Sequence, residues 1–528
     1  MISISNIQNI PLALIVLDGF GIAPKSRGNA ISEAKMPFFN SLIRNFQTFS
    51  IAAGGEAVGL PWGEPGNSEV GHQNLGAGKI VYQDVLRINK SIEDKSFFEN
   101  QELLGLIAHC KKHNSSMHIL GILSDGGVHG HVEHIYAALE LAGRNNLKQV
   151  YIHIILDGRD TAFDSGLEYV KQLEKVIKRV KIGEIASISG RFFAMDRDNK
   201  WDRVEKAYKA IVKSESENVF KSPKEAIQAS YENKIYDEEF VPAVIRKTDA
   251  KDIVRVQPGD GVFFTNYRPD RAKEITSAFV SKDFKGFSRS LLGNLYFVGM
   301  TEYSPNLKAH VAFRKDAIEF PLARVLSEAG LAQLHIAETE KYAHVTYFFN
   351  GGKDIVFKGE KNMIIPSAGV AQYDEKPQMS ANEITKKVME SLKAGAFHFY
   401  IVNYANADMV GHTGNLRATV QSLGIIDDCL KQVVSYIAKL GGMSVITADH
   451  GNAEDMVNWE NGHIIKEHSA SSVPCVLVGQ EFKLSNPKTK DFFLDSLKVT
   501  GVLSDVAPTI IKILGLQKPL EMTSRSLI

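Results

Sequence analysis

Short runs of apolar, often β-branched residues recur along the chain and alternate with longer stretches whose apolar positions return every three or four residues. The runs at Leu12–Leu17, Met117–Leu123, Val150–Leu156, Val262–Thr265, Leu295–Met300, Phe397–Asn403, Met443–Thr447 and Val473–Val478 predict strands. Their near-continuous apolarity fits strands covered on both faces, as in largely parallel sheets packed between helices. Leu167–Val180 and Gln421–Leu440 predict amphipathic helices, the charged face of the first being solvated. The alternation predicts α/β layers. The charged stretch Ser214–Lys251 predicts surface helices and loops and carries no motif. No repeat of fixed period and no long low-complexity segment interrupts the pattern.

Several of these strands end in polar clusters: Asp18-Gly19, Ser124-Asp125-Gly126-Gly127, Asp157-Gly158-Arg159-Asp160 and Thr447-Ala448-Asp449-His450-Gly451. One Asp-Gly pair is an ordinary turn signal. A series of them at strand ends matches the rule that open parallel sheets bind ligands beyond the carboxyl ends of their strands. At 528 residues the chain exceeds what one hydrophobic core sustains, so two domains are expected. Its chemical groups fall into two sets, one before about residue 80 and after about residue 335, the other between. The expectation is therefore a domain of residues 1–80 and 315–528, interrupted by a second α/β domain at 84–310.

Composition narrows the function classes. Lys plus Arg and Asp plus Glu are 61 each, so no global field favours nucleic acid or an anionic membrane. Recognition of an anion must come from local clustering. Cys110, Cys429 and Cys475 form no CxxC pattern and are odd in number, which argues against a disulfide framework and for a reducing cytoplasm. Pro11–Leu17 is short, lacks a basic leader and runs into Asp18, so it reads as a buried strand rather than a signal peptide. No apolar run approaches the roughly 18 residues of a membrane span.

The first chemical set lies in five segments. Asp18 follows a strand. Ser68 stands in Pro-Gly-Asn-Ser-Glu-Val-Gly-His, Asp408 and His412 in Asn-Ala-Asp-Met-Val-Gly-His-Thr-Gly, Asp449 and His450 in Thr-Ala-Asp-His-Gly-Asn, and His468 in Glu-His-Ser-Ala-Ser-Ser. Asp408 and His412, four apart, face one side of a helical turn and suit one ion. Carboxylate and imidazole without thiolate favour manganese, magnesium or zinc. Two such ions activate a serine hydroxyl and neutralise a transferring phosphoryl group, and no Gly-x-Ser-x-Gly elbow offers another activation for Ser68. Gly66-Asn67-Ser68 before a helix start also aims backbone N–H groups at an anion. Singly, each fragment has a plain alternative: a helix cap for Ser68, a surface or core position for a lone His. The second set carries His129, Arg159, Asp160, Arg191, Arg197, Arg268 and Arg271, with Lys341 beyond the insertion. Arginine forks match carboxylates and phosphates. The plain alternative pairs them with the neighbouring Asp160, Asp196, Asp198 and Asp270.

In this chain order the segments Gly66–Gly78, Ser124–His131, Asp157–Thr161, Asp408–Gly414 and Asp449–Asn452 resemble the cofactor-independent phosphoglycerate mutase family of the alkaline phosphatase superfamily. The resemblance runs over nearly the whole chain. It implies an alkaline-phosphatase-like core domain with the inserted domain binding substrate. It further implies one manganese ion on Asp408, His412 and His468, and another on Asp18, Ser68, Asp449 and His450. Substrate binding falls to His129, Arg159, Asp160, Arg191, Arg197, Arg268, Arg271 and Lys341, with Asp160 and His129 shuttling protons and Ser68 forming a phosphoserine. The implied activity interconverts 3-phosphoglycerate and 2-phosphoglycerate in glycolysis and gluconeogenesis, without bisphosphoglycerate, in a cytoplasmic monomer. Lys79, Gly130, Ala407 and Ser471-Ser472 depart from the family's usual residues, though none is an implied ligand.

A mutase and a phosphatase share the metal-activated serine and differ in whether the retained alcohol or water takes the phosphate. A second domain that grips the alcohol favours the mutase. A hydrolase or a phosphopentomutase of the same superfamily, and a metal-stabilised binding protein without catalysis, are the alternatives.

Overall fold

A computed structural model describes residues 10–246, 253–315, 317–458 and 460–528. The chain forms two compact units, Met1–Gln83 with Ala317–Ile528, and Asp84–Asp316. Each has an eight-stranded sheet of its own.

In the discontinuous unit the sheet runs Glu360–Ile365, Gln333–Glu338, Phe399–Tyr404, Leu12–Leu17, Met443–Thr447, Val473–Val478, Gln47–Ala52, Val499–Val502. The first five strands are parallel; Val473–Val478 runs antiparallel to both of its neighbours. Leu12–Leu17 is buried at all six positions because helices cover both faces. Leu12 pairs with Phe399 on one side and with Met443 on the other, so three carboxyl ends finish side by side.

The helix Leu416–Lys439 packs over this sheet and buries Leu423, Ile426, Leu430 and Val433 at helical spacing. Its Asp427 reaches the neighbouring helix Pro37–Asn45, whose own N-cap, Met36, has no side-chain acceptor. Asp427 accepts from Phe38 N at 2.9 Å and Phe39 N at 2.7 Å, satisfying two of that helix's free amides.

In the continuous unit the order is His310–Val311, Tyr296–Gly299, Gly261–Phe264, Met117–Ile122, Val150–Leu156, Glu184–Gly190, Ala243–Ile245, Asn218–Phe220. All pairs are parallel except Glu184–Gly190 with Ala243–Ile245. Alternate residues feed two apolar clusters: Ile119 and Phe263 on one, Leu120 and Phe264 on the other. A polar line crosses three strands within this core. His118 Nδ1 lies 2.9 Å from His153 Nε2, and His153 Nδ1 lies 2.8 Å from Ser187 Oγ. Asp260 ends the line, 3.3 Å from His118 Nε2.

Each of the eight expected strands is present, with ends shifted by a residue or two: Met117–Ile122, Gly261–Phe264, Tyr296–Gly299 and Phe399–Tyr404 replace the expected bounds. The expected helices are Gly166–Val180 and Leu416–Lys439. The charged stretch from Ser214 holds the strand Asn218–Phe220, the helix Pro223–Glu232 and the strand Ala243–Ile245; residues 247–251 of it lie outside the described residues. Among the described residues no helix is long and apolar enough to cross a membrane.

Candidate active site

Three neighbouring parallel strands deliver the acidic residues. Asp18 directly follows Leu12–Leu17; Asp408 sits on the short helix Asn406–Gly411 that follows Phe399–Tyr404; Asp449 and His450 follow Met443–Thr447. His412 ends the short helix, its amide bonded to the Asp408 carbonyl at 2.9 Å. Ser68 is the first residue of the helix Ser68–Ala77, and Asn67, not Ser68, is its cap, accepting from Val70 N at 2.9 Å. Ser68 Oγ is thereby left for the site, at the positive end of the helix. His468 is brought in by the bridge between Gly451 and Ser469.

The side chains form two clusters, Asp408 with His412 and His468, and Asp18 with Asp449 and His450, each with its ligand atoms within 4.8 Å of one another. In the first, His412 Nε2 and His468 Nε2 are 2.9 Å apart, and each is 3.1 Å from Asp408 Oδ1. In the second, His450 Nε2 is 3.4 Å from Asp18 Oδ1 and 3.6 Å from Asp449 Oδ2. Ser68 Oγ donates to Asp18 Oδ1 at 3.1 Å and lies 2.9 Å from His450 Nε2.

These residues fit a pair of metal ions. Each imidazole turns Nδ1 to a carbonyl, which only accepts: Lys466 O at 2.5 Å for His412, Gly66 O at 3.0 Å for His468, Gly451 O at 3.2 Å for His450. The Nδ1 proton is thus fixed, and each Nε2 is the atom turned to the carboxylates, the orientation that second-sphere carbonyls impose on metal-binding histidines. Among the described residues, three buried carboxylates, Asp18, Asp408 and Asp449, face a single ammonium, that of Lys341. Burial opposes charge on His450, yet Asp449, Asp18 and Asp408 raise its imidazole to about 10, a measure of how strongly the site draws positive charge.

Lys341 Nζ donates to Asp18 Oδ1 at 2.7 Å, Ser68 Oγ at 2.6 Å and Asp408 Oδ2 at 2.6 Å. The resemblance groups Lys341 with the arginines; the structure brings it to the serine and both clusters. Burial alone lowers its ammonium, but Asp18, Asp408 and Asp449 reverse that and hold it well above the usual lysine range. Burial raises the Asp18 and Asp408 carboxyls, and Lys341 foremost outweighs it, holding both well below the usual range.

The second set lies in the continuous unit. Arg191, buried at the end of Glu184–Gly190, donates from Nη1 to Asp157 Oδ1 and Asp160 Oδ2, both at 2.5 Å. Asp157 shapes the Asp160 turn by accepting from Asp160 N at 3.0 Å. Asp270 collects Arg268 Nε at 3.0 Å and Arg197 Nη1 at 3.3 Å. Arg271 donates to Met195 O at 3.0 Å, and Arg159 Nη1 lies 3.4 Å from Glu238 Oε1. The arginine–aspartate pairing weighed from sequence is therefore present for Arg191, Arg197 and Arg268. Arg271 is crowded: burial and then Arg197, Arg191 and Arg159 lower its guanidinium. His129 is buried, and among the described residues its Nδ1 has no hydrogen-bond partner; Asp270 Oδ1, which pairs with Arg268 Nε, lies 3.7 Å from it. Burial first, then Arg191, lowers the His129 imidazole to about 4, so it is neutral.

Three supporting residues escaped the sequence reading. Asn403 donates to Asp18 Oδ2 at 2.8 Å and lies 3.0 Å from His72 Nε2; His72 Nδ1 is 3.1 Å from Asp449 Oδ2. Asn452 donates to Asp408 Oδ1 at 3.2 Å. Each stands inside a segment already singled out: Asn403 is next to last in the strand that leads to Asp408 and pairs with the strand that leads to Asp18, His72 follows Ser68 by one helical turn, and Asn452 follows His450 by two.

Fold and site together define a class: an α/β protein with a buried serine between two carboxylate–imidazole clusters, the constellation that metal-dependent phosphoryl-transfer enzymes use. A family model described as "BPG-independent PGAM N-terminus" matches residues 88–305. The chain is 46% identical over 517 residues to the 2,3-bisphosphoglycerate-independent phosphoglycerate mutase of Acetivibrio thermocellus, covering 98% of both chains. It is 45% identical over 519 residues to that of Clostridioides difficile, covering 98% of this chain and 99% of the other. A crystal structure of Leishmania mexicana phosphoglycerate mutase at low cobalt concentration matches with a TM-score of 0.54 at 32% identity, covering 98% of this chain and 97% of that one. The chain belongs to the 2,3-bisphosphoglycerate-independent phosphoglycerate mutase family, a family of metal-dependent isomerases.

Proposed function

We propose that the protein interconverts 3-phosphoglycerate and 2-phosphoglycerate by passing the phosphoryl group through Ser68. The observation that carries this reading is the setting of Ser68 Oγ, within hydrogen-bond reach of Lys341, Asp18 and His450 and flanked by both carboxylate–imidazole clusters. Asp408, His412 and His468 are proposed to hold one ion, and Asp18, Ser68, Asp449 and His450 the other. Two divalent ions, manganese in this reading with magnesium or zinc able to replace it, would supply positive charge to the phosphoryl oxygens and acidify the Ser68 hydroxyl.

In the first half-reaction Ser68 Oγ forms a bond to phosphorus while the bond from phosphorus to the glycerate oxygen breaks. In the second, the other glycerate hydroxyl attacks the phosphoserine and Ser68 Oγ leaves. In the first step the departing glycerate oxygen takes a proton as Ser68 loses its own, and in the second the attacking hydroxyl gives up a proton as Ser68 Oγ regains one, so atoms balance without bisphosphoglycerate. Lys341 donates toward Ser68 Oγ and the oxygens it carries. The continuous unit is assigned the glycerate: Arg159, Arg191, Arg197, Arg268 and Arg271 pair with carboxylate and phosphate oxygens. Neutral His129, with Nδ1 unengaged, accepts a proton from a hydroxyl, and Asp160 serves as the partner group. The metal-binding and substrate-binding roles are thus assigned to residues 1–80 with 315–528 and to residues 84–310. Three free, buried cysteines suit a reducing cytoplasm, and a monomer is the proposed assembly.

The test is to incubate the protein with manganese and 3-phosphoglycerate. The expected product is 2-phosphoglycerate, and trapped enzyme carries phosphate on Ser68. Free phosphate as the main product would reject the mutase in favour of a phosphatase. Ser68→Ala should abolish both turnover and labelling; a binding protein would show neither in the wild type and would keep its binding in Ser68→Ala.

A further inference from the structure

We propose that Glu454 is a positioning residue that fixes the separation of the two metal clusters. This rests on the ligand assignment above. The Glu454 side chain is 2% exposed, and among the described residues it forms no ion pair. A carboxylate buried without a cation is costly and persists only where several donors hold it. Here Oε2 accepts from Gly21 N at 3.0 Å and from Asn452 N at 2.9 Å, and Oε1 accepts from Ser469 Oγ.

Each contact falls beside a proposed ligand. Gly21 is three residues past Asp18, Asn452 two past His450, and Ser469 is the neighbour of His468. Asp18 and His450 belong to one cluster and His468 to the other. One side chain therefore ties three separate loops that serve both clusters. Backbone contacts run the same way: Ala453 N donates to Gly19 O at 3.0 Å, and Ser469 N to Gly451 O at 3.0 Å.

The approach of the carboxylate also accounts for two glycines. A Cβ at Gly21 would overlap the Glu454 carboxyl group, and a Cβ at Gly451 would overlap Glu454 Oε1 and Ser469 Oγ. The charge itself adds to the negative field that draws cations, so Glu454 acts through geometry and electrostatics while touching no ion.

The experiment titrates Mn2+ into wild-type protein, Glu454→Gln, Ser469→Ala and the ligand control His468→Ala, reading free Mn2+ by electron paramagnetic resonance. Wild type should bind two ions and His468→Ala should lose one. Glu454→Gln, nearly isosteric, should weaken both sites about 10–100-fold. Ser469→Ala should weaken chiefly the site of Asp408, His412 and His468. Excess Mn2+ should restore kcat of Glu454→Gln, with KM for phosphoglycerate unchanged. Wild-type affinity in Glu454→Gln, with an ion lost in His468→Ala, overturns the proposal while the ligand assignment stands. Two ions bound at full affinity by His468→Ala overturns the assignment itself. If Glu454→Gln fails to fold, Ser469→Ala and Gly21→Ala probe the same contacts, and wild-type affinity in both overturns the proposal.

Discussion

Lys341 shows how much a single side chain carries here, since its ammonium serves Asp18, Ser68 and Asp408 together. Lys341→Met should remove that cation and lower kcat by about 10²-fold or more, the scale of losing one charge-stabilising donor; steady-state kinetics with saturating manganese measures it. Arg191 is the counterpart in the other unit. Arg191→Met removes the one Nη1 atom that donates to both Asp157 and Asp160 and leaves Asp157 buried without its cation. It should raise KM and cost about 3 kcal/mol, the lower end for breaking a buried pair, read from denaturant midpoints. Ser68 and its acidic neighbours were legible in the sequence because each stands in a compact motif at a strand or helix end. The company kept by Lys341 was not: residue type reveals a cation, and only the fold reveals which anions surround it. Glu454 was hidden for a similar reason, as its partners are two backbone amides and a serine hydroxyl that sequence spacing does not connect.

Among elements, the strands read from sequence were those whose apolar runs hold at most two polar residues. Gln47–Ala52, Glu184–Gly190, Gln333–Glu338 and Glu360–Ile365 went unread because polar residues break their runs. Inside the fold those residues find partners: Ser187 meets His153, and His335 Nε2 lies 3.0 Å from Gln333 Oε1. The helix Pro37–Asn45 takes its cap from Asp427 on another helix. Asp427→Ala should therefore cost about 1–2 kcal/mol in urea unfolding, as loss of an N-cap does. Buried histidines make the continuous unit acid-sensitive. Burial, with His131, lowers His134 to about 3, and burial, with His118, holds His153 well below its ordinary 6.5. A group whose folded pKa is depressed contributes stability that is complete above 6.5 and falls away as pH drops toward the folded value. Between pH 7 and pH 5 His134 should forfeit about 2 kcal/mol, and His153 loses stability in the same direction. His134→Gln should flatten that slope by a similar amount in unfolding curves taken at both pH values.

At the scale of the whole molecule, the proposed metal ligands all belong to the discontinuous unit, whose core residues are separate from those of the other. Calorimetry should resolve two transitions. Manganese at a thousandfold excess over its Kd should add about 4 kcal/mol per bound ion, about 8 kcal/mol for the two, to one and nothing to the other, and a chelator should reverse it. Equal shifts in both would remove the ligands from the first unit. The central place of Leu12–Leu17 also dictates an order of events at the ribosome. Translation proceeds at roughly 5–20 residues per second, and domains fold as they emerge. The inserted segment is complete while this earliest apolar strand still lacks Phe399–Tyr404 and Met443–Thr447, its neighbours on either side. The nascent chain thus carries an unpaired, aggregation-prone ribbon until most of it is made, and the strand Leu12–Leu17, among the first segments to be born, is among the last to become native.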